Sequence, residues 1–241
     1  MLVTGAASGI GSAVAQLLRA HDVEVVATDI SAPGLVPLDE AGAETLVADV
    51  TRCEDRARCL AAAAGADGLV NAAGAIDPMP IEDVTDEAWD RSIAVNLKAS
   101  FFLARDVGRR MPSGGAIVNL SSLAARYPNN TDVLCYAASK AAVLAMTRGL
   151  AHAFGGRGVR VNAVLPGLID TPMQARVLEG IAAIRGEPRS EVAAARAKLV
   201  PLEQRTGSAR ECAEAIVFLL SGAASYITGQ ALGIDGGAVM P

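Results

Sequence analysis

The sequence predicts an α/β fold: a single doubly wound parallel sheet with helices on both faces, all 241 residues forming one domain. Three observations predict it. Short apolar runs of strand length alternate with longer helical patterns from one end of the chain to the other, the signature of parallel strands joined by helical crossovers. Several of the short runs, VEVVATD for example, read as buried strands. The chain is 51% hydrophobic and carries no internal repeat or low-complexity linker, so its length suits one large core.

In order, LVT is the first strand, starting almost at Met1, and GSAVAQLLRA the helix after it. VEVVATD and AETLVAD are the second and third strands, with no element assigned between them. A short helix runs through RARCLAAAA, and DGLVNAAG is a strand ending in a glycine turn. DEAWDRSIAVNLKASFFLARDVGRRM reads as one long helix, GGAIVNLSS as a strand and VLCYAASKAAVLAMTRGLAHAF as a second long helix. VRVNAVLPG is a strand stopped by Pro166, which has no N–H to give a ladder. ARECAEAIVFLLS is the last helix and QALGID the last strand. Crossovers between the parallel strands are expected to be right-handed. Residues 173–205 are the least regular long stretch, rich in charge of both signs, and are expected to form a mobile helical lid.

Composition excludes several functions. A formal net charge of -5 leaves no basic stripe for nucleic acid, and 3% aromatic residues leave no base-stacking platform. Cys53, Cys59, Cys135 and Cys212 form no CxxC pair, and His21 and His152 lie far apart, so no metal site is expected. Unpaired cysteines fit a reducing compartment. MLVTGAASGIG lacks the basic-then-apolar pattern of a secretory leader, and no apolar run is read as reaching the roughly 20 residues a membrane span needs. A cytoplasmic protein without membrane or nucleic-acid partners is expected.

Two constellations carry chemistry. TGAASGIG follows a strand and opens a helix. Gly5, Gly9 and Gly11 permit a tight turn and close approach of a ligand, and a helix N-terminus offers unpaired N–H groups and partial positive charge to a pyrophosphate. Asp29 ends the next strand, where a carboxylate can accept from an adenosine ribose and repel a 2′-phosphate. Neither Ser8 nor Ile30 brings a positive charge to offset it. Asp49 ends the third strand in the same way. The second constellation is Tyr136 and Lys140, one helical turn apart and so on one face. A phenol with a pKa of about 10 is a poor base at neutral pH, and a fixed ammonium favours phenolate; about 4 kcal/mol of differential stabilisation would bring it down roughly three units. Ser122 ends the preceding strand and could share the same substrate oxygen.

TGAASGIG, NAAG, the Asn within VNLKASFF, IVNLSS, YAASK, VLPGLIDTPM and YITGQALGIDGG occur in order over nearly the whole chain. In these the sequence resembles the short-chain dehydrogenase/reductase family, in its compact, NAD-preferring form with a Rossmann-type sheet. The resemblance implies a hydride transfer between a nicotinamide and a secondary alcohol or ketone, with NAD as cofactor. It implies that Gly5, Ser8, Gly9, Ile10 and Gly11 wrap the pyrophosphate, that Asp29 beside Ile30 holds the ribose, and that Asp49 and Val50 hold the adenine. Asn71, Ala72, Ala73 and Gly74 would line the middle of the cleft. Pro166, Gly167, Ile169 and Thr171 would fix the nicotinamide. Ser122 would orient the substrate oxygen, Tyr136 would be the acid/base, Lys140 would lower its pKa and hold the nicotinamide ribose, and Asn96 would kink its helix and hold a water in a relay to Lys140. A homotetramer is implied, through a four-helix contact and a contact of the last strands. Apolar residues on more than one face of the helix that holds Asn96 (Ile93, Leu97, Phe101 and Phe102) agree with burial there. The sequence departs from the family in a short first strand, in Ala125 where glycine is frequent, and in a short segment between Asp49 and Asn71.

Competing readings are a 3-oxoacyl thioester reductase, a non-catalytic nucleotide-binding regulator on the same fold, and a sugar-nucleotide epimerase; the last needs a larger C-terminal domain than the chain after Gly167 supplies. For the substrate, Arg126, Asn129, Asn130 and Asp132 in the loop before Tyr136 suggest a polar pocket. Residues 174–205 hold six basic side chains (Arg176, Arg185, Arg189, Arg196, Lys198, Arg205) against four acidic ones. Together these point to a polyol, sugar acid or hydroxy acid, with any anionic group near the lid.

Overall fold

The computed structural model describes residues 1–128 and 130–240. Its strands are β1 Leu2–Thr4, β2 Val26–Asp29, β3 Glu44–Val47, β4 Gly68–Asn71, β5 Ala116–Leu120, β6 Arg160–Pro166, β7 Ile169–Asp170, β8 Gly207–Ser208 and β9 Ala231–Ile234. Seven of them form one all-parallel sheet in the order β3-β2-β1-β4-β5-β6-β9, and β7 pairs with β8 separately. The chain runs outward from β1 to β3, then returns to place β4 on the other side of β1. That reversal opens a crevice at the C-terminal ends of β1 and β4.

The helices are α1 Gly9–Ala20, α2 Ala32–Glu40, α3 Cys53–Ala62, α4 Asp86–Ile93, α5 Ser100–Gly108, α6 Leu134–Gly155, α7 Pro172–Arg185, α8 Arg189–Ala197 and α9 Ala209–Leu220. The inner strands are apolar at successive positions, and the two alternations enter two separate cores. Val3, Ala27, Val70, Val118 and Val164 pack with Val14, Leu18, Leu38 and Ile216 of α1, α2 and α9. Leu2, Val26, Leu69, Ile117 and Val161 pack with Cys59, Leu103, Val107, Leu150 and Phe154 of α3, α5 and α6. At the start of β6 a charged residue is buried: the Arg160 guanidinium donates to the carbonyls of Leu219, Leu220 and Ser221 at 2.6, 3.1 and 3.1 Å. It closes the C-terminus of α9, where carbonyls lack helical partners and a cation is favoured.

The seven strands of the main sheet fall where the sequence places them, the short pair β7 and β8 was not expected, and two helical regions differ. The stretch left without an element forms α2. Pro33 stands in its first turn, where no N–H is needed, and burial of Leu35 and Leu38 holds the rest. The expected single long helix is α4 and α5 joined by a six-residue π-helical segment, Ala94–Ala99, which holds Asn96; such segments are local and cluster at functional sites. Most of the irregular stretch 173–205 is α7 and α8. One further expectation is corrected. A helical segment, Thr131–Gly155, is long and apolar enough to cross a membrane by length and composition. It contains α6, which packs one part of that apolar surface on β6 and the core and carries Tyr136 and Lys140.

Candidate active site

The turn after β1 is shaped by what cannot fit there. Gly5 has φ +65°, and a Cβ on it would lie 2.7 Å from Ala73 N and 2.8 Å from Ala72 C. A Cβ on Gly11 would lie 2.1 Å from the Gly5 carbonyl oxygen. The turn therefore lies flat against the end of β4 while Gly9 starts α1, its free N–H groups facing the crevice. Thr4 ties the two strand ends: its hydroxyl oxygen accepts from Ala72 N and Ala73 N, both at 3.1 Å. Asp29, ending β2, accepts from Ala7 N at 3.1 Å and from Ser31 N at 3.0 Å, so one carboxylate fixes the turn and faces the cleft. Asp49 accepts from Thr51 N and Thr51 Oγ1 at 2.9 and 2.7 Å.

The cleft has a volume of about 1700 Å³, ample for a dinucleotide with a small substrate. Gly5, Ser8, Gly9, Ile10, Gly11, Asp29, Ile30, Asp49 and Val50 line one end of it. Ala72, Ala73, Gly74, Ser122, Tyr136 and Lys140 line the middle, and Pro166, Gly167, Ile169 and Thr171 the side beneath α7. No room for a Cβ at Gly5 or Gly11, free N–H groups at α1 and a carboxylate at β2 fit a dinucleotide. The lining cations, Arg91, Lys140, Arg176, Arg185 and Arg196, come from α4, α6 and the α7–α8 pair; none comes from the ends of β1, β2 or β3.

At the centre, Ser122 stands two residues after β5 and accepts from Ala124 N at 3.2 Å, and its side chain is close enough to the Tyr136 hydroxyl to favour the phenolate. The Lys140 ammonium is buried, donates to Leu120 O at 2.7 Å and stands 5.6 Å from the centre of the Tyr136 ring. Burial raises the Tyr136 phenol above its ordinary 10, with only the Ser122 hydrogen bond opposing, and pushes Lys140 down to about 8. In the structure by itself, desolvation is the larger influence on the phenol. Desolvation outweighs the ammonium, which is committed to a carbonyl and is itself made less basic.

Two expected site residues do not reach the cleft. Asn71 is buried; its amide nitrogen donates to Ser100 O at 3.1 Å and Asn119 Oδ1 at 2.9 Å, tying β4 to α5 and β5. Asn96 is fully buried. Its oxygen accepts from Ala75 N at 2.8 Å, and its nitrogen donates to Ala75 O, Ser92 Oγ and Ser139 Oγ at 2.9, 3.2 and 3.0 Å. With both sides of its amide engaged by protein groups, the Asn96 side chain positions the π-helical turn against Ala75 and α6. Its partner Ser139 donates to Tyr136 O at 2.7 Å and so links the π-helical turn to α6. The sequence reading missed Ser139, although a serine three positions after Tyr136 in a run of small residues marks the same helical face. Thr4 was missed because its role needs β4 beside β1.

The substrate loop is also corrected. Arg126 donates to Ala231 O at 3.0 Å and turns away from the cleft. Asn129 lies outside the described residues. Asn130 lines the cleft, Asp132 lies behind it, and Tyr127 and Pro128 supply apolar contact that the reading did not foresee.

A family model described as enoyl-(acyl carrier protein) reductase matches residues 5–239. The D-threitol dehydrogenase of Mycolicibacterium smegmatis is 38% identical, over 98% of this chain and 91% of its own length. The 3-oxoacyl-[acyl-carrier-protein] reductase FabG of Thermotoga maritima is 39% identical, over 99% and 97%. The crystal structure of a putative NAD(P)-dependent gluconate 5-dehydrogenase from Beutenbergia cavernae, with bound NADP at low occupancy, superposes with a TM-score of 0.87 at 37% identity, over 98% and 95%.

The Lys140 shift yields a prediction. Its folded pKa of about 8 lies below its ordinary 10.5, so between these values the folded protein binds fewer protons than the unfolded one. The cost of burying the charge, on the order of 3 kcal/mol, is full below about pH 8 and is relieved as pH rises toward 10.5. Stability should therefore rise between pH 8 and 10, and Lys140→Met should flatten that rise. Urea unfolding of both proteins across this window checks it; parallel pH profiles would contradict it.

Proposed function

The chain belongs to the short-chain dehydrogenase/reductase family, and on that premise we propose that it is an NAD-linked oxidoreductase moving a hydride between nicotinamide and a secondary alcohol or ketone. The observation that carries the reading is the meeting of Ser122, Tyr136 and Lys140 in one cleft with the glycine turn and Asp29. A nicotinamide bound there supplies or accepts the hydride, which no side chain can do. Gly5, Gly9, Gly11 and the N-terminus of α1 take the pyrophosphate, and Asp29 the adenosine ribose. Ser122 Oγ holds the substrate oxygen. Tyr136 Oη gives that oxygen a proton in reduction and takes it back in oxidation. Lys140 holds the nicotinamide ribose, and Asn96 with Ser139 keeps the π-helical turn and α6 in register. The D-threitol and gluconate names among the relatives favour a polyhydroxylated substrate.

Similarity to the Thermotoga reductase favours a second reading, reduction of a 3-oxoacyl thioester. Nicotinamide absorbance at 340 nm separates the two, with polyols and NAD in one assay and acetoacetyl-CoA with NADH or NADPH in the other.

For the whole protein we infer one domain with α7 and α8 as a moving lid, and a cytoplasmic location in keeping with four free cysteines. We infer a homotetramer. Leu97, Phe101, Phe102 and Met146 form an apolar groove on α5 and α6, and Phe218 and Leu232 are exposed near the β9 edge. Light scattering should give a mass near four times 24.5 kDa, and a single-chain mass would refute this.

Tyr136→Phe should keep the fold and NAD binding and lose about 10²–10⁴-fold in kcat, because only proton transfer is removed. Near wild-type turnover would refute the assignment. Asp29 faces the place of a 2′-phosphate with no cation among the described residues that line that end of the cleft, so kcat/KM should favour NAD over NADP by at least about 10-fold. Equal values would show that Asp29 does not contact the ribose.

A further inference from the structure

Hydrogen-bond donors without acceptors collect at one end of the cleft, between α7, α8 and the loop before α6. Arg196 of α8 lines the cleft, and its Nε is buried with no partner among the described residues. Arg185, the last residue of α7, lines the same space. Its ion pair with Asp132 is long, at 3.9 Å from Nη2 to Oδ2. From the loop, Asn130 spends its oxygen on Asp132 N at 3.1 Å, while its Nδ2 is buried and unpartnered among the described residues. Burial and the nearby charge of Arg185 hold the Arg196 guanidinium below its ordinary value, so the charge stays there at a cost. A buried donor without an acceptor is destabilising, and two in one cleft lining need a reason in a ligand.

The ligand's chemistry follows from the count of charges. Arg185 and Arg196 against Asp132 leave one net positive charge, which matches a monoanion better than a doubly charged phosphate. The Nε edge of a guanidinium presents two parallel N–H groups, the geometry that takes a carboxylate in bidentate fashion. The other lining arginines are less suited: Arg91 is paired with Asp77, and Arg176 is exposed. We propose that Arg196, with Arg185 and Asn130, forms a carboxylate subsite, so that the substrate is a hydroxy or oxo monocarboxylic acid. This rests on the reading that the cleft takes an alcohol or ketone beside Tyr136, and it narrows that class to acids.

The test pairs acids with their neutral counterparts. Lactate, glycerate, 3-hydroxybutyrate and gluconate are each set beside the alcohol with –CH₂OH in place of –COO⁻; glycerol 3-phosphate beside glycerol reports on phosphate. Binding to the NADH-saturated protein is read by calorimetry, and turnover by NAD reduction. At least one acid should bind about 10-fold or more tightly than its neutral partner. Arg196→Gln should remove most of that preference and Arg196→Lys should restore part of it. Lys198→Gln, the same loss of charge at an exposed lid position, should leave the preference in place. The proposal is overturned if no acid is preferred, if Arg196→Gln and Lys198→Gln act alike, or if only the phosphate is preferred. Carboxylate binding lost in Arg196→Gln without NAD reduction by any compound would sustain the subsite and sink the oxidoreductase reading. Turnover of neutral alcohols with no acid preference would do the reverse.

Discussion

One hydroxyl holds the place where the sheet reverses direction, and the cleft depends on it. Thr4 ends β1 and accepts from two successive backbone N–H groups at the end of β4. Strand ends at such a reversal diverge, so these amides have no ladder partner and would otherwise be left unpaired. The hydroxyl satisfies both and fixes how closely the glycine turn lies against Ala72 and Ala73. Asp29 reaches the same turn from β2 through Ala7 N. The cofactor end of the cleft is thus a backbone surface held by two side chains from neighbouring strands, and its glycines are required by lack of space as much as by φ.

Behind that surface lies a buried polar layer. Asn71, Asn119 and Thr147 run across β4, β5 and α6, while Asn96, Ser92 and Ser139 join α4, the π-helical turn and α6. Each bond is worth about 1 kcal/mol net, but losing one partner inside the protein costs more, since the other is left without water. Such a layer favours one arrangement over near alternatives. Here it fixes α6 against β5, and with it the positions of Tyr136 and Lys140 relative to Ser122. Lys140 belongs to this layer too, through its bond to Leu120 O, and Ser121 donates to the Lys140 carbonyl at 2.7 Å. The ammonium is anchored to the sheet at Leu120 O and stands 5.6 Å from the centre of the Tyr136 ring.

The far end of the cleft has the opposite character. Around the glycine turn the side chains of Thr4 and Asp29 are bonded to backbone N–H groups, and the free donors there are the backbone N–H groups at the start of α1. Between α7, α8 and the loop before α6, guanidinium and amide donors outnumber the acceptors.

By itself the sequence determined the all-parallel sheet, both core faces and the cofactor turn, because these depend on patterns local in the chain: apolar runs, helical periodicity and glycines at a strand–helix junction. It also marked Ser122, Tyr136 and Lys140 by order and spacing. It did not reveal α2, whose stability comes from Leu35 and Leu38 reaching a core that two prolines gave no hint of. Nor did it tell cleft-lining residues from those one layer behind. Asn71 and Ala72 are neighbours in one motif, yet successive residues of a strand face opposite sides, and only the packing of α5 decided that the amide turns inward. Asn96, Arg126 and Arg196 carry the same lesson. Whether a polar side chain meets ligand, backbone or its own kind depends on which distant segment lies against it, and that is fixed only when the tertiary structure brings those segments together.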